Sequence, residues 1–282
     1  AADATNERAV ARIYEAKGRP SFNPLIIHVT GREMAERYVV FSPLAVRLAE
    51  AFWPGALTLI LPRREGADIS KLASAGLSTL GVRAPAHPVA SALLKAANVP
   101  LAAPSANRSG SISPTTAAHV KESLGGKVDF ILDGGKCDVG VESTIVKIDG
   151  DDACLLRAGG VARENIERVI GKKLLAPQSE AVEAPGMLAS HYAPNAKLRL
   201  NAAAPRADEA FLAFGPTKTY PNMLNLSATG DLGEAAANLF AHLHSLDALC
   251  AEKGLCGIAA APAPMTGLGE AINDRLARAA VC

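Results

Sequence analysis

The sequence predicts a two-domain α/β protein, and three observations lead there. Its 282 residues exceed the roughly 150 expected of one domain. Short apolar runs of strand length, bounded by Pro and Gly, alternate with stretches of helical periodicity, an order that pairs strands in parallel and covers both faces of a sheet. Hydrophobic residues make up 49% and charged residues 20%, enough for a packed core. No apolar stretch approaches the ~18 residues of a membrane span.

Thr5 is expected to cap a first helix bearing Ala9, Val10, Ile13 and Tyr14 at helical spacing, with Lys17 in its last turn and Gly18 as its stop. The run Leu-Ile-Ile-His-Val at 25–29, after Pro24, reads as a buried strand. A helix over 43–52 is broken by Trp53-Pro54-Gly55, and strands follow at 57–62 and 80–83. Then come a helix at 87–97, a strand at 101–103, the turn-rich stretch 104–110, and a helix through Val120 capped by Ser113-Pro114-Thr115. Strands are expected at 130–132, 143–148 and 153–157, and a turn at Gly159 leads into a helix over 163–169. Residues 172–201 are rich in Pro, Ala and Ser without periodicity, as in a linker that packs on something else. After Pro205 a small α/β unit reads out, with strands at 211–214, 222–226 and 257–261 and helices at 232–249 and 268–280. The expected division is a first domain over 1–172, a linker over 173–204 and a small domain over 205–282.

Charge narrows the function. Lys plus Arg number 29 against 28 Asp plus Glu, a net +1, which argues against a protein whose main task is gripping nucleic acid but leaves brief RNA contact open. At 4% aromatic residues, a base-stacking platform is not expected. The five cysteines form no C-x-x-C pair, so neither a disulfide framework nor a zinc site reads out, and a reduced, cytoplasmic compartment fits best. The N-x-[ST] triplets at Asn107 and Asn225 are then chance matches, and no signal peptide is visible. P-loop, H-E-x-x-H and G-x-S-x-G signatures are missing, and Gly267-Leu268-Gly269 reads as a tight turn before a helix.

What remains is a scatter of basic and hydroxyl residues. Lys17 and Arg19, two apart on a stretch read as extended, point the same way and can reach one anion such as a triphosphate; a solvated helix end is the alternative. Asn23 follows shortly, and His28 sits inside an apolar run, either as a core residue or as a ligand group. Arg83 closes an apolar strand, where a charge must be paired, exposed or committed to a ligand carboxylate. The stretch Pro104-Ser105-Ala106-Asn107-Arg108-Ser109-Gly110, with Ser113, lies between a strand and a helix start, where backbone N–H groups favour an anion. An ordinary loop and cap is the alternative. Ser143 and Arg157 add a hydroxyl and another strand-end arginine.

Taken in order, K-G-R-P-S-F-N-P-L-I-I-H-V from Lys17, F-W-P-G-A-L-T from Phe52, T-L-G-V-R-A-P from Thr79, A-P-S-A-N-R-S-G-S-I-S-P-T from Ala103, G-V-E-S-T-I from Gly140 and L-L-R-A-G-G from Leu155 resemble the YrdC-like threonylcarbamoyl-adenylate synthases. The stretch P-G-M-L-A-S-H-Y-A-P from Pro185 and G-L-G-E-A-I-N-D-R-L from Gly267 resemble the longer, two-domain members. The resemblance implies a twisted mixed-sheet YrdC-like catalytic domain and a small Rossmann-like α/β C-terminal domain. It implies an enzyme that condenses L-threonine, bicarbonate or carbon dioxide, and ATP with Mg2+, the metal ligands being unspecified. Other proteins then transfer the threonylcarbamoyl group to tRNA. Carried over by position, Lys17 and Arg19 would be catalytic, with Arg19, Asn23, Thr79, Ser105, Ser113, Arg157 and Tyr192 contacting ATP. His28, Arg83, Ser143 and the backbone of Ala103 would hold threonine, and the linker would act as a lid. The family also has a strand region ending in P-T-E-T-V-Y-G-L-G ahead of the stretch that begins here, so this text is expected to start inside the catalytic domain. An RNA-binding accessory role is the alternative; a hydrogenase-maturation carbamoyl-transfer domain would be expected with acylphosphatase and zinc-finger segments, which do not appear.

Overall fold

A computed structural model of the protein describes residues 1–177, 182–187 and 190–281. Residues 178–181, 188, 189 and 282 lie outside it, and with them part of the expected linker and of the stretch from Pro185 to Pro194. In chain order the elements are β1 (Ala2–Asp3), α1 (Glu7–Lys17), β2 (Ile26–His28), α2 (Arg32–Ala35), α3 (Pro43–Phe52), β3 (Leu57–Pro62), β4 (Thr79–Arg83), α4 (Pro88–Ala97), β5 (Leu101–Ala102), α5 (Ala117–Leu124), β6 (Thr144–Asp149), β7 (Asp152–Arg157), α6 (Arg163–Ile170), β8 (Lys197–Arg199), β9 (Glu209–Ala213), β10 (Met223–Asn225), α7 (Leu232–Lys253), β11 (Gly257–Ala260) and α8 (Gly269–Ala279).

The chain forms two compact units, one of Ala1–Ala106 with Ser143–Met187 and the other of Asn107–Glu142 with Leu188–Cys282. This division differs from the one expected at 172 and 204, and packing explains why. Ile112 and Val141 are buried in the same cluster as Leu239, Phe240 and Ile272, and the N–H of Ala193 donates to the Gly110 carbonyl at 2.8 Å. At Gly140 the backbone has φ +71°, and an added Cβ would lie 2.1 Å from the Ala236 carbonyl oxygen and 2.5 Å from the Ala237 Cα. Only glycine permits that approach to α7.

The first unit is built on a seven-stranded mixed sheet in the order β1-β5-β2-β4-β3-β6-β7. Alternation along each strand separates its two faces. Ile27, Leu57, Leu59, Leu61, Leu80, Val82, Val146 and Ile148 join one cluster with α1, α3 and α6, whereas Ile26, Ile60, Ile145 and Leu156 face the other way with Ala184 and Met187. The second unit carries a four-stranded parallel sheet, β10-β9-β11-β8, over which α7 and α8 pack Leu239, Phe240, Leu243 and Ile272.

Three local expectations change. The helix starts are capped by Asn6 and Thr116 rather than Thr5 and the 113–115 turn; Thr5 instead bonds Asp3. Residues 130–132 form no strand: Phe130 and Leu132 are 78% and 55% exposed and pair with no strand among the described residues. The expected linker contributes β8, which pairs in parallel with β11.

Candidate functional site

In the first unit the site is built on the sheet face bearing Ile26 and Ile60. Thr79, Gly81 and Arg83 alternate down β4 onto that face, so Thr79 and Arg83 sit at opposite ends of the strand, about 13 Å apart. His28 pairs in register with Arg83 across parallel strands β2 and β4, which sets the two side chains next to each other. The His28 Nδ1 lies 3.2 Å from the Ile26 carbonyl, which accepts when Nδ1 carries the proton. Burial, helped by the Arg83 charge, lowers the His28 pKa to about 3, and the imidazole is neutral.

Arg83 Nε donates to the Gly55 carbonyl at 2.9 Å. Burial and then the charge of Arg157 lower its pKa to about 10. Arg157 ends β7 and is itself buried. Its guanidinium donates to the Ser143 carbonyl at 2.8 Å, to Ser143 Oγ at 3.3 Å and to the Pro185 carbonyl at 3.2 Å. Ser143 Oγ also lies 2.7 Å from Thr58 Oγ1. Four sequence-predicted residues, His28, Arg83, Ser143 and Arg157, thus lie at one end of the sheet's strands.

A second group forms at the end of α1. Gly18 takes the left-handed conformation (φ 58°) and terminates the helix. Lys17 and Arg19 are therefore not neighbours on an extended stretch, as expected, but flank a helix stop. The buried Lys17 Nζ donates to the Ser105 carbonyl at 2.6 Å. Burial, then the Arg19 charge, lowers the Lys17 pKa to about 7. Arg19 folds onto its own loop, donating to Asn23 Oδ1 at 2.7 Å and the Pro24 carbonyl at 2.9 Å. The Asn23 side chain is fully buried, and its Nδ2 donor has no hydrogen-bond partner. A buried donor left unmet costs about 1–3 kcal/mol, a cost that a ligand acceptor removes. Continuing the Ile26–Gly81 register back two residues brings Pro24 level with Thr79, so this group belongs to the Thr79 end of the sheet. Ala103 sits between the two ends, its N–H donating to the Ile26 carbonyl at 3.1 Å.

Residues 182–187 lie over this same face. Ala184 is fully buried in the Ile26, Ile60, Ile145 and Leu156 cluster, Glu183 pairs with Lys147, and Pro185 accepts from Arg157.

Ser113 and Tyr192 lie in the second unit. Ser113 Oγ donates to Glu142 Oε1 at 2.7 Å. The Tyr192 ring is buried in the second core, 5.4 Å from Phe240 and 5.2 Å from the Arg275 guanidinium. Sequence reasoning missed Thr58, Glu142 and Arg275. A threonine inside the apolar run 57–61 is the signal for the first. For Arg275 it is a charged residue in register with the apolar stripe Ala271, Ile272, Leu276 and Ala279.

The Sua5–YciO–YrdC family, described as "Telomere recombination", matches residues 1–159, and the family described as "Threonylcarbamoyl-AMP synthase, C-terminal domain" matches residues 161–281. The threonylcarbamoyl-AMP synthase of Bacillus subtilis (strain 168) is 41% identical over 300 residues, covering 99% of this chain and 85% of that protein. That of Pyrococcus abyssi is 46% identical over 203 residues, 70% of this chain and 59% of that protein. The crystal structure of P. abyssi Sua5 complexed with L-threonine superposes with a TM-score of 0.88 at 37% identity, covering 99% of this chain and 86% of that one. Among the described residues no helix is long and apolar enough to cross a membrane.

Proposed function

The chain belongs to the Sua5–YciO–YrdC family, and from that premise we propose that it condenses L-threonine, bicarbonate or carbon dioxide, and ATP to threonylcarbamoyl-AMP and pyrophosphate. The observation that carries this reading is the register pairing of His28 with Arg83 beside Arg157 and Ser143. A cation at a strand end next to a neutral imidazole suits an amino acid whose carboxylate must be fixed while its amine stays free.

In this reading Arg83 takes the threonine carboxylate, and His28, Ser143 and the Ala103 backbone orient the rest of the molecule. The neutral amine adds carbon dioxide and gives up one N–H proton to water, leaving an anionic carbamate. A carbamate oxygen bonds to the α-phosphorus of ATP as the bond to the pyrophosphate oxygen breaks. The nucleophile is already anionic and needs no general base. The work left to the protein is positioning and stabilising charge on the phosphate oxygens, which falls to Lys17, Arg19, Asn23, Thr79, Ser105 and Arg157; Ser113 and Tyr192 are read as contacts to the nucleotide from the resemblance alone. Residues 182–187, lying over the sheet face, fit a lid that keeps water from a hydrolysable product.

Mg2+ would enter as the counter-ion of ATP, held by phosphate oxygens and water. Among the described residues no group of three or more His, Cys, Asp or Glu side chains is arranged to hold a metal, and the site donors are cations, amides and hydroxyls. Proteins that transfer the threonylcarbamoyl group to tRNA would consume the product in the cytoplasm, with at most weak tRNA contact by this chain. Mass spectrometry of the product made by the full-length protein tests the reading. A threonylcarbamoyl adenylate supports it; a threonyl adenylate, formed through the carboxylate, contradicts it.

A further inference from the structure

Ser113 and Tyr192 are tied to one side chain. Arg275 lies on the inward face of α8 and is 0% exposed. Its Nε donates to Glu142 Oε2 at 2.9 Å and its Nη1 to Asp274 Oδ2 at 2.6 Å. Glu142 turns its other oxygen, Oε1, to the Ser113 hydroxyl at 2.7 Å. The same guanidinium lies 5.2 Å from the centre of the Tyr192 ring, within the range of a cation–π contact. Asp274 extends the link through its Oδ1, which accepts from Arg278 Nε at 2.9 Å. The Arg278 carbonyl accepts from the N–H of His191, adjacent to Tyr192, at 3.3 Å. All of these groups belong to the second unit.

The chemistry of the link is directional. A carboxylate held by an arginine is ionised and can only accept, and a serine hydroxyl has one proton. With that proton given to Glu142, the Ser113 oxygen offers lone pairs. We propose that Arg275, acting through Glu142, is a positioning residue for the nucleotide, fixing Ser113 as a hydrogen-bond acceptor and bracing the Tyr192 ring. This rests on the reading of Ser113 and Tyr192 as nucleotide contacts. It sharpens that reading, because an acceptor meets an N–H or O–H donor of the nucleoside, the adenine amino group or the ribose 2′-hydroxyl, and not a phosphate oxygen.

The test is nucleotide affinity by competition for ATP, ITP and 2′-deoxy-ATP, with the full-length protein and its Glu142→Gln, Ser113→Ala, Arg275→Lys and Arg275→Met variants. Glu142→Gln is expected to weaken ATP about tenfold, the scale of a charge-assisted hydrogen bond. It should change by less than about twofold the affinity for whichever analogue lacks the donor that Ser113 meets. The KM for L-threonine should stay within about twofold, and Arg275→Lys should recover part of what Arg275→Met loses. In a double-mutant cycle, Glu142→Gln on top of Ser113→Ala should cost little more. If the Arg275 variants do not fold, Glu142→Gln and the cycle decide. Equal weakening of all three nucleotides, unchanged ATP affinity, or additive costs overturn the proposal. These are binding readouts, so an unmodified protein that binds ATP but makes no threonylcarbamoyl adenylate would overturn the activity reading separately.

Discussion

The two units handle buried cations in opposite ways. In the first unit the bonds described for Lys17, Arg19, Arg83 and Arg157 run to carbonyl, amide and hydroxyl oxygens. Burial and like charge lower the pKa of Lys17 to about 7 and of Arg83 to about 10. In the second unit burial also opposes the charge of Arg275, but Tyr192, Glu142 and Asp274 more than offset it and the pKa rises. Arg199 is similarly matched to Glu209. Around Lys17 and Arg83 burial and like charge prevail, so an incoming anion stabilises the charged form of both. Carboxylates cancel the charge, so the second unit spends its arginines on holding side chains in place.

The largest expected effect follows for Arg83. Arg83→Met should lower kcat/KM for L-threonine about 100-fold, the loss of a bidentate, charge-assisted contact, while ATP affinity stays within about twofold. Equal losses for both substrates would merge the two ends of the sheet into one site and break the distinction drawn between them.

Lys17 sharpens the comparison through protons. Its folded pKa is about 7, below the unfolded value near 10.5, so the unfolded chain binds more protons between those pH values. Stability from this group is therefore lowest below pH 7 and rises through that window. A triphosphate restores the charge, so ATP binding near pH 8 should take up about one proton. Calorimetry in buffers of different ionisation enthalpy measures this. Lys17→Met should remove the uptake, weaken ATP about tenfold and raise the Tm by about 2–4 °C, a gain in stability for a loss of function.

The smallest effect belongs to the matched pair. The Arg199 guanidinium, aided by the Arg206 N–H, holds the buried Glu209 carboxyl at about 2 against burial. Its contribution is present above the unfolded value near 4.5 and is lost as pH falls toward 2. Glu209→Gln should cost about 1 kcal/mol at neutral pH, because Arg199 is about one-third exposed and solvent screens the pair. It should also flatten the acid side of the melting curve.

Much of this was legible in the sequence, because most strands and helices carry their own periodicity. The runs at 57–62 and 153–157 are strands, and the helix stop at Gly18 lies where expected. What was not legible depends on partners distant in sequence. Lys197–Arg199 is too short a run to stand out as a strand and becomes β8 by pairing with β11, whereas 130–132 has the composition of a strand and pairs with none among the described residues. The cations at Lys17, Arg19, Arg83 and Arg157 stood out through local context. Glu142 and Arg275, 133 residues apart, each look ordinary alone, and only folding brings them together.

Pyrophosphate release from ATP, measured with the full-length protein while omitting L-threonine and bicarbonate in turn, tests the central claim most directly. The account predicts that release falls to background when either is left out, and that Arg83→Met removes the response to threonine while leaving ATP bound. Pyrophosphate release that proceeds at the same rate without threonine would contradict it.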